Sequence, residues 1–589
     1  MPLDQRAQLL FTSLPASSGI PDEGRQLAAV MLRRLISNDF NEFFDKLNDE
    51  QKAQFKNEML NLLQSEANRN VRRKIVDLVA ETSRSLMDDD GNNLWPEFLQ
   101  MLFVLAKAPS NELKEASLLL FSSVPGVFGN QNSHYIDVIK QMLLASLTNS
   151  ESYDVRFTGI KAAVNYLLLH EKDATVLKHM GDLLGPILTV TMESIEKSDD
   201  DAALKSIIDL AETCPKFLRP QLDQLFMACM KVYGDKEQED SWRHLALEVL
   251  VTLCETAPAM VRKVAGNQLA QAIQAILQMM TDVDDEEDWA NSDELADDDN
   301  DSNAVVAESA LDRLACGLGG KTVFPHILSS TPAMMQHPDW KCRHAALMAI
   351  SAAGEGCHKQ MESYLPQIMD AVMNFVNDSH PRVRFACCNA LGQMSTDFAP
   401  LFEKKFHSKV IPGLLHLMDD NGNPRVQAHA GAALVNFSED CPKNILTQYL
   451  DSIIEKLETI LQSKFKELVE KGSKLVLEQV VTTIASVADT AEEKFQTYYD
   501  RFVPCLKYII QNATTTELRL LRGKTIECIS LIGLAVGPEK FKADASEVME
   551  MLLKTQTGEQ EMSDDDPQVR CFLIISQSTF SPPQNRSVV

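Results

Sequence analysis

One segment contains most of the residue types that bind a nucleotide phosphate, but it does not form a complete site. Residues 315–322 read ACGLGGKT, close to a phosphate-binding loop but with alanine in place of the first glycine. Such a loop also needs a strand before it. An amphipathic helix pattern precedes this segment instead, so its glycines are expected to end that helix. A weaker match at 521–525 falls inside a predicted helix, and no nucleotide site is predicted.

The twelve histidines and twelve cysteines are spaced for packing rather than for metal binding or catalysis. No C-x-x-C pair and no H-E-x-x-H helix occurs, and metal sites need such clustered ligands. His344 and His429 fall at alanine-rich positions typical of a helix core, and most cysteines lie in apolar stretches. We therefore predict no catalytic residue, no metal, no cofactor and no enzyme activity, in a protein of a reducing compartment.

Acidic and amide side chains recur on one face of successive predicted helices. With Asn389 as the reference, these helices align without gaps, and polar residues return at offsets of 0, 4, 7 and 8, which share a helix face. The stripe consists of Asp312, Glu355, Asn389, Gln393, Asp397, Asn436, Glu439, Ser486 and Asp489. Carboxylates near helix C-termini oppose the helix dipole and repel one another. A basic extended peptide that crosses the stripe would relieve both costs. For any single residue of the stripe, the alternative is that it lies on an ordinary solvated helix face.

The elements that must position this stripe are helix pairs. The turn DSHPRVR at 378–384 is echoed by DNGNPRVQ at 420–427, and the two prolines lie 43 residues apart. Proline is tolerated at the first position of a helix, and periods of about 40–47 residues are typical of HEAT and armadillo units. First helices are predicted near 48–66, 93–107, 134–148, 177–195, 220–233, 267–281, 322–335, 362–377, 407–418, 449–463, 498–512 and 541–555. No stretch alternates with period two. The predicted fold is an all-α superhelix, a HEAT-repeat, armadillo-like solenoid whose second helices line the concave side.

Two segments interrupt the period. Residues 282–301 contain twelve acidic residues in twenty and no basic one, with Trp289 inside the charge run. A solvated loop is the simplest interpretation of such a run, but it would not require a tryptophan. Residues 462–474 lengthen one repeat by a further helical stretch, to which composition assigns no role.

The net charge restricts the classes of partner. Lysine and arginine number 56 against 84 aspartates and glutamates, which gives −28. A chain this acidic repels nucleic acid and anionic membranes and favours basic partners. Without a signal-peptide pattern or an apolar run of about 18–20 residues, the sequence predicts a soluble intracellular protein that contacts neither membrane nor nucleic acid directly.

Several segments resemble the karyopherin-β family of nuclear import receptors. They are DWANSDEL at 288–295, SALDRLACGLGGK at 309–321, DWKCRHA at 339–345, GEGC at 354–357, GQMSTDFAP at 392–400, RVQAHA at 425–430, VVTTIASVAD at 480–489 and LRGKTIECISLIGLAVG at 521–537. The resemblance implies a receptor that binds a lysine-rich nuclear localisation signal at Asp312, Glu355 and Asp397, with Asn389 and Asn436 nearby. Basic cargoes such as ribosomal proteins and histones are implied.

The same resemblance implies two further partners and a shuttling cycle. Phenylalanine-glycine nucleoporins would carry the receptor through the nuclear pore between cytoplasm and nucleus, and Ran-GTP would release the cargo. Ran is expected at the N-terminal repeats and near the acidic insertion, with Arg25, Arg33, Arg34, Asp288 and Trp289 as candidate contacts. A structural HEAT scaffold or regulatory subunit without nucleotide-linked release is the alternative.

The resemblance also predicts how the chain is divided. We expect N-terminal repeats on the Ran and nucleoporin side at 1–265, a repeat with the insertion at 266–321, cargo-binding repeats at 322–540, an incomplete repeat at 541–570 and a divergent, disordered tail at 571–589. The family begins with a helix pair before residue 4 and continues for about as many repeats again. The chain is therefore expected to be truncated at both ends, and its ending at 571–589 resembles that of a truncated gene model, a splice form or a frameshift.

Overall fold

The computed structural model describes residues 3–197, 200–285, 288–293 and 301–555. These residues form thirty α-helices and no β-strand, with one isolated bridge between Met87 and Asn93. They divide into two compact units, unit 1 up to Gln268 and unit 2 from Leu269. The predicted all-α class is confirmed, while residues 556–570 of the expected incomplete repeat and the tail at 571–589 lie outside the described residues.

Unit 1 contains fifteen of the helices. They are α1 Leu3–Thr12, α2 Asp22–Phe44, α3 Asp49–Ser65, α4 Arg69–Ser85, α5 Pro96–Ala106, α6 Asn111–Ser123, α7 Asn132–Leu147, α8 Tyr153–Leu169, α9 Ala174–His179, α10 Leu184–Lys197, α11 Ala202–Thr213, α12 Pro215–Leu218, α13 Leu222–Gly234, α14 Asp240–Thr256 and α15 Pro258–Val264. By itself, no described helix has the length and apolar composition of a membrane span; α14 with α15 meets that test only as a pair, bent by 109°.

Unit 2 contains the other fifteen. They are α16 Leu269–Met279, α17 Asn303–Leu318, α18 Gly320–Met335, α19 Trp340–Ala353, α20 His358–Met361, α21 Leu365–Met373, α22 Pro381–Asp397, α23 Leu401–Leu417, α24 Pro424–Glu439, α25 Lys443–Leu446, α26 Leu450–Lys471, α27 Leu475–Ala491, α28 Tyr499–Asn512, α29 Arg519–Val536 and α30 Pro538–Thr555.

Within each unit the second helices of successive pairs form an inner row. In unit 2 this row is α17, α19, α22, α24, α27 and α29, and each member packs closely on the next, whereas the first helices touch their equivalents far less. Small side chains make the close packing possible: Ala386, Cys387, Cys388 and Ala390 of α22 are all fully buried. Because a stacked repeat buries its apolar faces only against its neighbours, the core of each unit runs along this row and between it and the first helices.

In many pairs, an arginine near the start of the second helix connects that helix to the first one. Its guanidinium donates to a backbone carbonyl of the preceding turn at 2.7–3.1 Å in seven repeats, at Arg25, Arg72, Arg156, Arg243, Arg343, Arg384 and Arg522. Gln427 replaces this arginine in α24 and donates to the Met418 carbonyl at 2.7 Å. The repeated turn seen in the sequence is therefore a structural hydrogen-bonding device, which satisfies carbonyls at the end of the first helix.

The predicted first helices agree with the observed ones to within a few residues for most pairs, since their apolar period is strong. The sequence did not reveal the short helices α9, α12, α15, α20 and α25, which precede or follow the longer ones. The extra stretch at 462–474 mainly prolongs α26 to Lys471, where Gly472 ends it with a φ of 78°.

Candidate functional site

Two carboxylates of the predicted stripe converge with a thiol on the inner row of unit 2. Asp312 lies within α17, and Glu355 lies in the turn after α19. A carboxylate oxygen of each and the Sγ atom of Cys316 all lie within 4.8 Å of one another. Cys316 donates to Oδ1 of Asp312 at 3.8 Å. Burial, followed by the charges of Asp312 and Glu355, raises the pKa of Cys316 to about 11, so this thiol stays neutral in a negative field.

Asp397, the last residue of α22, adds a third carboxylate beside this pair. Its Oδ2 atom lies against Gly354, where a β-carbon would collide with it, and Oδ1 accepts from Nε2 of Gln393 at 3.0 Å. Burial raises the pKa of Asp397 to about 6, and the charges of Glu355 and Asp312 add to the rise. We name Asp312, Cys316, Glu355 and Asp397 the acidic cluster. These three carboxylates, which the sequence placed on one stripe, lie near one another on α17, in the turn after α19 and at the end of α22.

The amide and hydroxyl members of the stripe lie on α22, α24 and α27. Oδ1 of Asn389 is 3.0 Å from Nε2 of His429, and Nδ2 of Asn436 donates to the Gly392 carbonyl at 3.4 Å. Ser486 faces inward and hydrogen-bonds with Ser438 at 2.8 Å, so its hydroxyl serves the packing of α24 on α27. Glu439 and Asp489 are exposed. Gln393 contacts the acidic cluster through Asp397, whereas Asn389 lies about two turns earlier on α22 and Asn436 contacts α22 from α24.

Two of the three carboxylates in the acidic cluster form no ion pair with the described part of the chain. Among the described residues, no lysine or arginine forms an ion pair with Glu355 or Asp397, and Oδ2 of Asp397 has no hydrogen-bond partner. Two arginines of the inner row form ion pairs elsewhere: Arg343 pairs with Asp378 at 2.9 Å, and Arg384 pairs with Asp420 at 2.8 Å. Glu355 and Asp397 therefore lie near each other as like charges without a described lysine or arginine as a partner.

Trp289 lies on the opposite, N-terminal edge of the same inner helices. Its ring meets Phe385 of α22 edge-on, with centroids 5.2 Å apart. The guanidinium carbons of Arg382 and Arg425 stand 4.7 and 5.2 Å from its centroid, a cation–π geometry. This contact explains the tryptophan inside the charge run, which the sequence singled out without identifying what it touches. The predicted Ran contact at Trp289 and at exposed Asp288 stays a prediction.

The two segments that interrupt the period contact each other. The Asp293 carboxylate accepts from the backbone N–H groups of Lys474 and Leu475 at 2.9–3.1 Å, at the start of α27. It thereby caps that helix from 181 positions earlier in the chain. Each segment was visible in the sequence, but nothing in the sequence indicated that they meet, because a cap normally comes from the residue next to its helix.

The candidate Ran residues of unit 1 differ from one another. Arg25 is only 3% exposed and donates to the Leu14 carbonyl, Asp22 and Glu66. The prediction that Arg25 contacts a partner is therefore wrong, because its guanidinium holds α1, α2 and the end of α3 together. Arg34 is exposed, and Arg33 is half-buried at 3.7 Å from Asp77. These two stay predictions.

An apolar groove lies between two outer helices of unit 1. It has a volume of about 180 Å³ and is lined mainly by side chains of α10 and α13, including Leu188, Met192, Leu225 and Val232. Sequence reasoning missed this groove, because it depends on how far apart two first helices stand.

The segment that resembles a phosphate loop ends a helix, as expected. Gly319 has a φ of 80° and joins α17 to α18, so the glycines serve this turn. The interpretation of His344 and His429 as packing residues is also confirmed. Burial lowers the pKa of His344 to about 3 and that of His429 to about 4, and His429 stacks on Phe385.

The sequence has a curated relative that decides its family. Importin subunit beta-3 of Saccharomyces cerevisiae is 34% identical over 533 residues, which are 89% of this chain and 47% of that protein. The chain belongs to the importin-β family. A probable importin-5 homolog of Dictyostelium discoideum is 25% identical over 93% of the chain and 50% of its own length. This importin-β family member thus spans about half the length of the curated relatives it matches.

Family models and solved structures agree with this assignment. The importin-β N-terminal domain matches residues 9–65, IPO5-like TPR repeats 67–228, an importin repeat 235–325 and a HEAT-like repeat 340–394. The crystal structure of the karyopherin Kap121p is similar with a TM-score of 0.83 and 31% identity, over 98% of this chain and 54% of that one. The crystal structure of Kap121p bound to Nup53p is similar with a TM-score of 0.82 and 31% identity, over 98% of this chain and 53% of that one.

A third Kap121p structure is informative about this importin-β family member because of its substitutions. It is a mutant in which two aspartates and a glutamate are replaced by lysine, at separations of 43 and 42 residues. It matches this chain with a TM-score of 0.83 and 30% identity, over 98% of this chain and 54% of that one.

Proposed function

We propose that this chain is a nuclear transport receptor, not an enzyme, whose acidic cluster binds the lysine side chains of a nuclear localisation signal. The observation that carries the proposal is the convergence of Asp312, Glu355 and Asp397 on the inner row, with Glu355 and Asp397 left unpaired by the described lysines and arginines. Gathering like charges destabilises the free protein, and a bound ammonium group would reverse that cost.

The chemistry of the cluster favours lysine in an extended segment. A lysine ammonium is a compact charge on a flexible stem and can enter between carboxylates that lie within a few ångströms of one another. The neighbouring amides of Asn389, Gln393 and Asn436 can bond the backbone of the same segment, whose N–H and C=O groups need partners on burial. A net charge of −28 steers basic proteins toward this surface over longer distances.

The sequence spacing of the substituted residues in the mutant Kap121p structure supports this assignment. Asp312, Glu355 and Asp397 are two aspartates and a glutamate separated by the same 43 and 42 residues as the substituted positions. Other Kap121p structures contain Pho4p, Ste12p and the SUMO protease Ulp1p, so that relative binds several different proteins. Basic cargoes such as ribosomal proteins and histones belong to the proposal for this chain.

The apolar groove of unit 1 supports phenylalanine-glycine nucleoporins as a second partner. An apolar cavity of roughly 150 Å³ accommodates a benzene ring, so a groove of about 180 Å³ lined by Leu188, Met192 and Leu225 has room for one phenylalanine side chain. Kap121p has been solved with the nucleoporin Nup53p. Release of cargo by Ran-GTP and shuttling between cytoplasm and nucleus complete the proposed cycle, with Arg33, Arg34, Asp288 and Trp289 as candidate Ran contacts.

The cargo site is tested by charge reversal. Glu355→Lys combined with Asp397→Lys should weaken binding of a fluorescein-labelled lysine-rich peptide by more than tenfold, measured by anisotropy, with an unchanged circular dichroism spectrum. A matched control, Glu362→Lys with Glu455→Lys, changes the net charge equally at two exposed positions, one between α20 and α21 and one on α26. If both double variants lose affinity equally, the effect comes from net charge and the cluster is not the site.

Nucleotide-linked release is tested separately with Ran. The chain should capture Ran loaded with GTP and not Ran loaded with GDP in a pull-down, and Ran-GTP should displace the labelled peptide. Indifference to the nucleotide would favour a structural HEAT scaffold instead.

A further inference from the structure

One oxygen of Asp397 is shut off from solvent inside the acidic cluster. Oδ2 has no hydrogen-bond partner among the described residues and lies against Gly354. Only Oδ1 is satisfied, by the amide of Gln393 at 3.0 Å. A carboxylate with a desolvated, unpartnered oxygen is strongly disfavoured, whereas the neutral acid loses much less on burial.

The charges that face Asp397 increase this preference for the neutral form. Glu355, from the turn after α19, and Asp312, from α17, are like charges, and the Cys316 thiol beside them is neutral. His358 on α20 acts in the opposite sense when it is protonated, as does the Gln393 hydrogen bond. Burial is the largest of these causes, and the balance is a pKa of about 6 for Asp397.

We propose that, at about pH 6 and below, the ligand-free acidic cluster holds a proton on Asp397 and releases it to the solvent when a ligand ammonium group binds. This inference rests on the proposed function, since it concerns the same site. In the exchange, the O–H bond of the acid breaks and the proton passes to a buffer base. An N–H of the ammonium then donates to the resulting carboxylate. No described lysine or arginine pairs with Asp397. The bound cation supplies this positive charge, so the Asp397 carboxyl group is ionised in the complex.

The exchange makes the affinity for basic segments dependent on pH. Above pH 6 Asp397 is already mostly ionised and binding needs little proton release, whereas below pH 6 each binding event must expel the proton. Proton linkage then predicts that affinity falls about fourfold between pH 7.5 and pH 5.5 from this group alone. A lysine ammonium does not titrate in this range, so the peptide itself contributes nothing to the change.

Isothermal titration calorimetry with a histidine-free, lysine-rich peptide tests the proposal. In phosphate and imidazole buffers, which differ in ionisation enthalpy, the binding heats at pH 6.0 should differ by the equivalent of about half a proton per peptide, and at pH 7.5 by less than about a tenth. Asp397→Asn should bind more weakly and release no proton. His358→Gln, which removes the other titratable group nearby, should keep the release.

Two results would overturn the proton exchange while leaving the receptor intact. One is tight peptide binding at pH 6.0 with a heat that does not depend on the buffer. The other is a release that persists in Asp397→Asn and disappears in His358→Gln. Failure of the proposed function has a different signature, namely no peptide binding at either pH, or equal affinity for wild type and the Glu355→Lys, Asp397→Lys variant.

Discussion

Two groups of carboxylates, one in each unit, are arranged in opposite ways. In unit 1 Glu115 accepts from both Arg69 and Arg73, at 3.0 and 2.9 Å, and Glu66 pairs with buried Arg25. In unit 2 Asp312, Glu355 and Asp397 lie together, and Glu355 and Asp397 have no described lysine or arginine as a partner. Paired charges connect neighbouring repeats of one chain, whereas the gathered like charges are where we propose that a partner from another chain binds. The same repeat fold thus supports two uses of a carboxylate.

Breaking the buried pair of unit 1 should give the largest effect. Glu66→Ala removes one of the two carboxylates that pair with a guanidinium that is 4% exposed, and Asp22 remains as the other. The loss of a charge-assisted bond to a buried group costs about 2–3 kcal/mol. The unit 1 transition in urea, followed by circular dichroism, should shift by that amount. Asp77→Ala is the control: it removes the partner of half-exposed Arg33 and should cost less than about 0.5 kcal/mol. Equal losses would mean that the buried pair is no more structural than the surface one.

The second-largest effect should be a difference in how the two charge arrangements respond to salt. Peptide binding at the acidic cluster joins charges that solvent ions can reach, so affinity should fall about tenfold between 0.05 and 0.5 M sodium chloride. The Arg25 pair is buried, so the free energy of unfolding of unit 1 should change much less over the same range. Anisotropy and urea titrations at each salt concentration measure both. Peptide affinity that does not respond to salt would remove the electrostatic basis of the comparison.

Replacement by glutamine should change the free energy of unfolding in opposite directions at two glutamate positions. Glu403 in α23 is fully buried with both oxygens unpartnered, and burial raises its pKa to about 7. The folded chain keeps this proton where the unfolded chain has lost it, so stability falls as pH rises from about 4.5 through 7. Glu403→Gln should therefore raise the free energy of unfolding by about 1–3 kcal/mol at pH 8 and hardly change it at pH 4.5.

Glu115→Gln in unit 1 is the counterpart of that variant. It gives up two charge-assisted bonds to half-exposed arginines and should lower stability by about 1 kcal/mol at pH 8. Urea unfolding of both variants at the two pH values checks the signs. Destabilisation by Glu403→Gln at pH 8 would show that its carboxylate is satisfied in solution.

The smallest expected effect concerns the basic edge of unit 2. Trp289→Ala removes the ring that lies between Arg382 and Arg425, a partly exposed cation–π contact of about 0.5–1 kcal/mol. The unfolding transition of unit 2 should shift by that amount, and Asp288→Asn, one residue away and exposed, should not shift it. Equal shifts would mean that the insertion is held by its charge rather than by its tryptophan.

Much of the fold could be predicted because its period is local. Each first helix has its own apolar stripe, and turns such as that at 378–384 carry proline at the first position of a helix, so boundaries follow from neighbours in sequence. The short helices α12 and α20 could not be predicted, since four residues give no period. Arg25 was misplaced for a related reason: its position on α2 suits either a surface or a buried ion pair, and Glu66, its partner, is 41 residues away.

By itself, the sequence determined the repeat, the helical class and the face on which Asp312, Glu355 and Asp397 recur, because residues one helical turn apart must share a face. Only the tertiary structure decided that these carboxylates meet, since their approach depends on a glycine at 354 and on the spacing between repeats. The tertiary structure also decided that Trp289 and Asp293 bind the chain's own inner helices. Local order follows from backbone geometry, whereas contacts between distant residues depend on how the repeats stack.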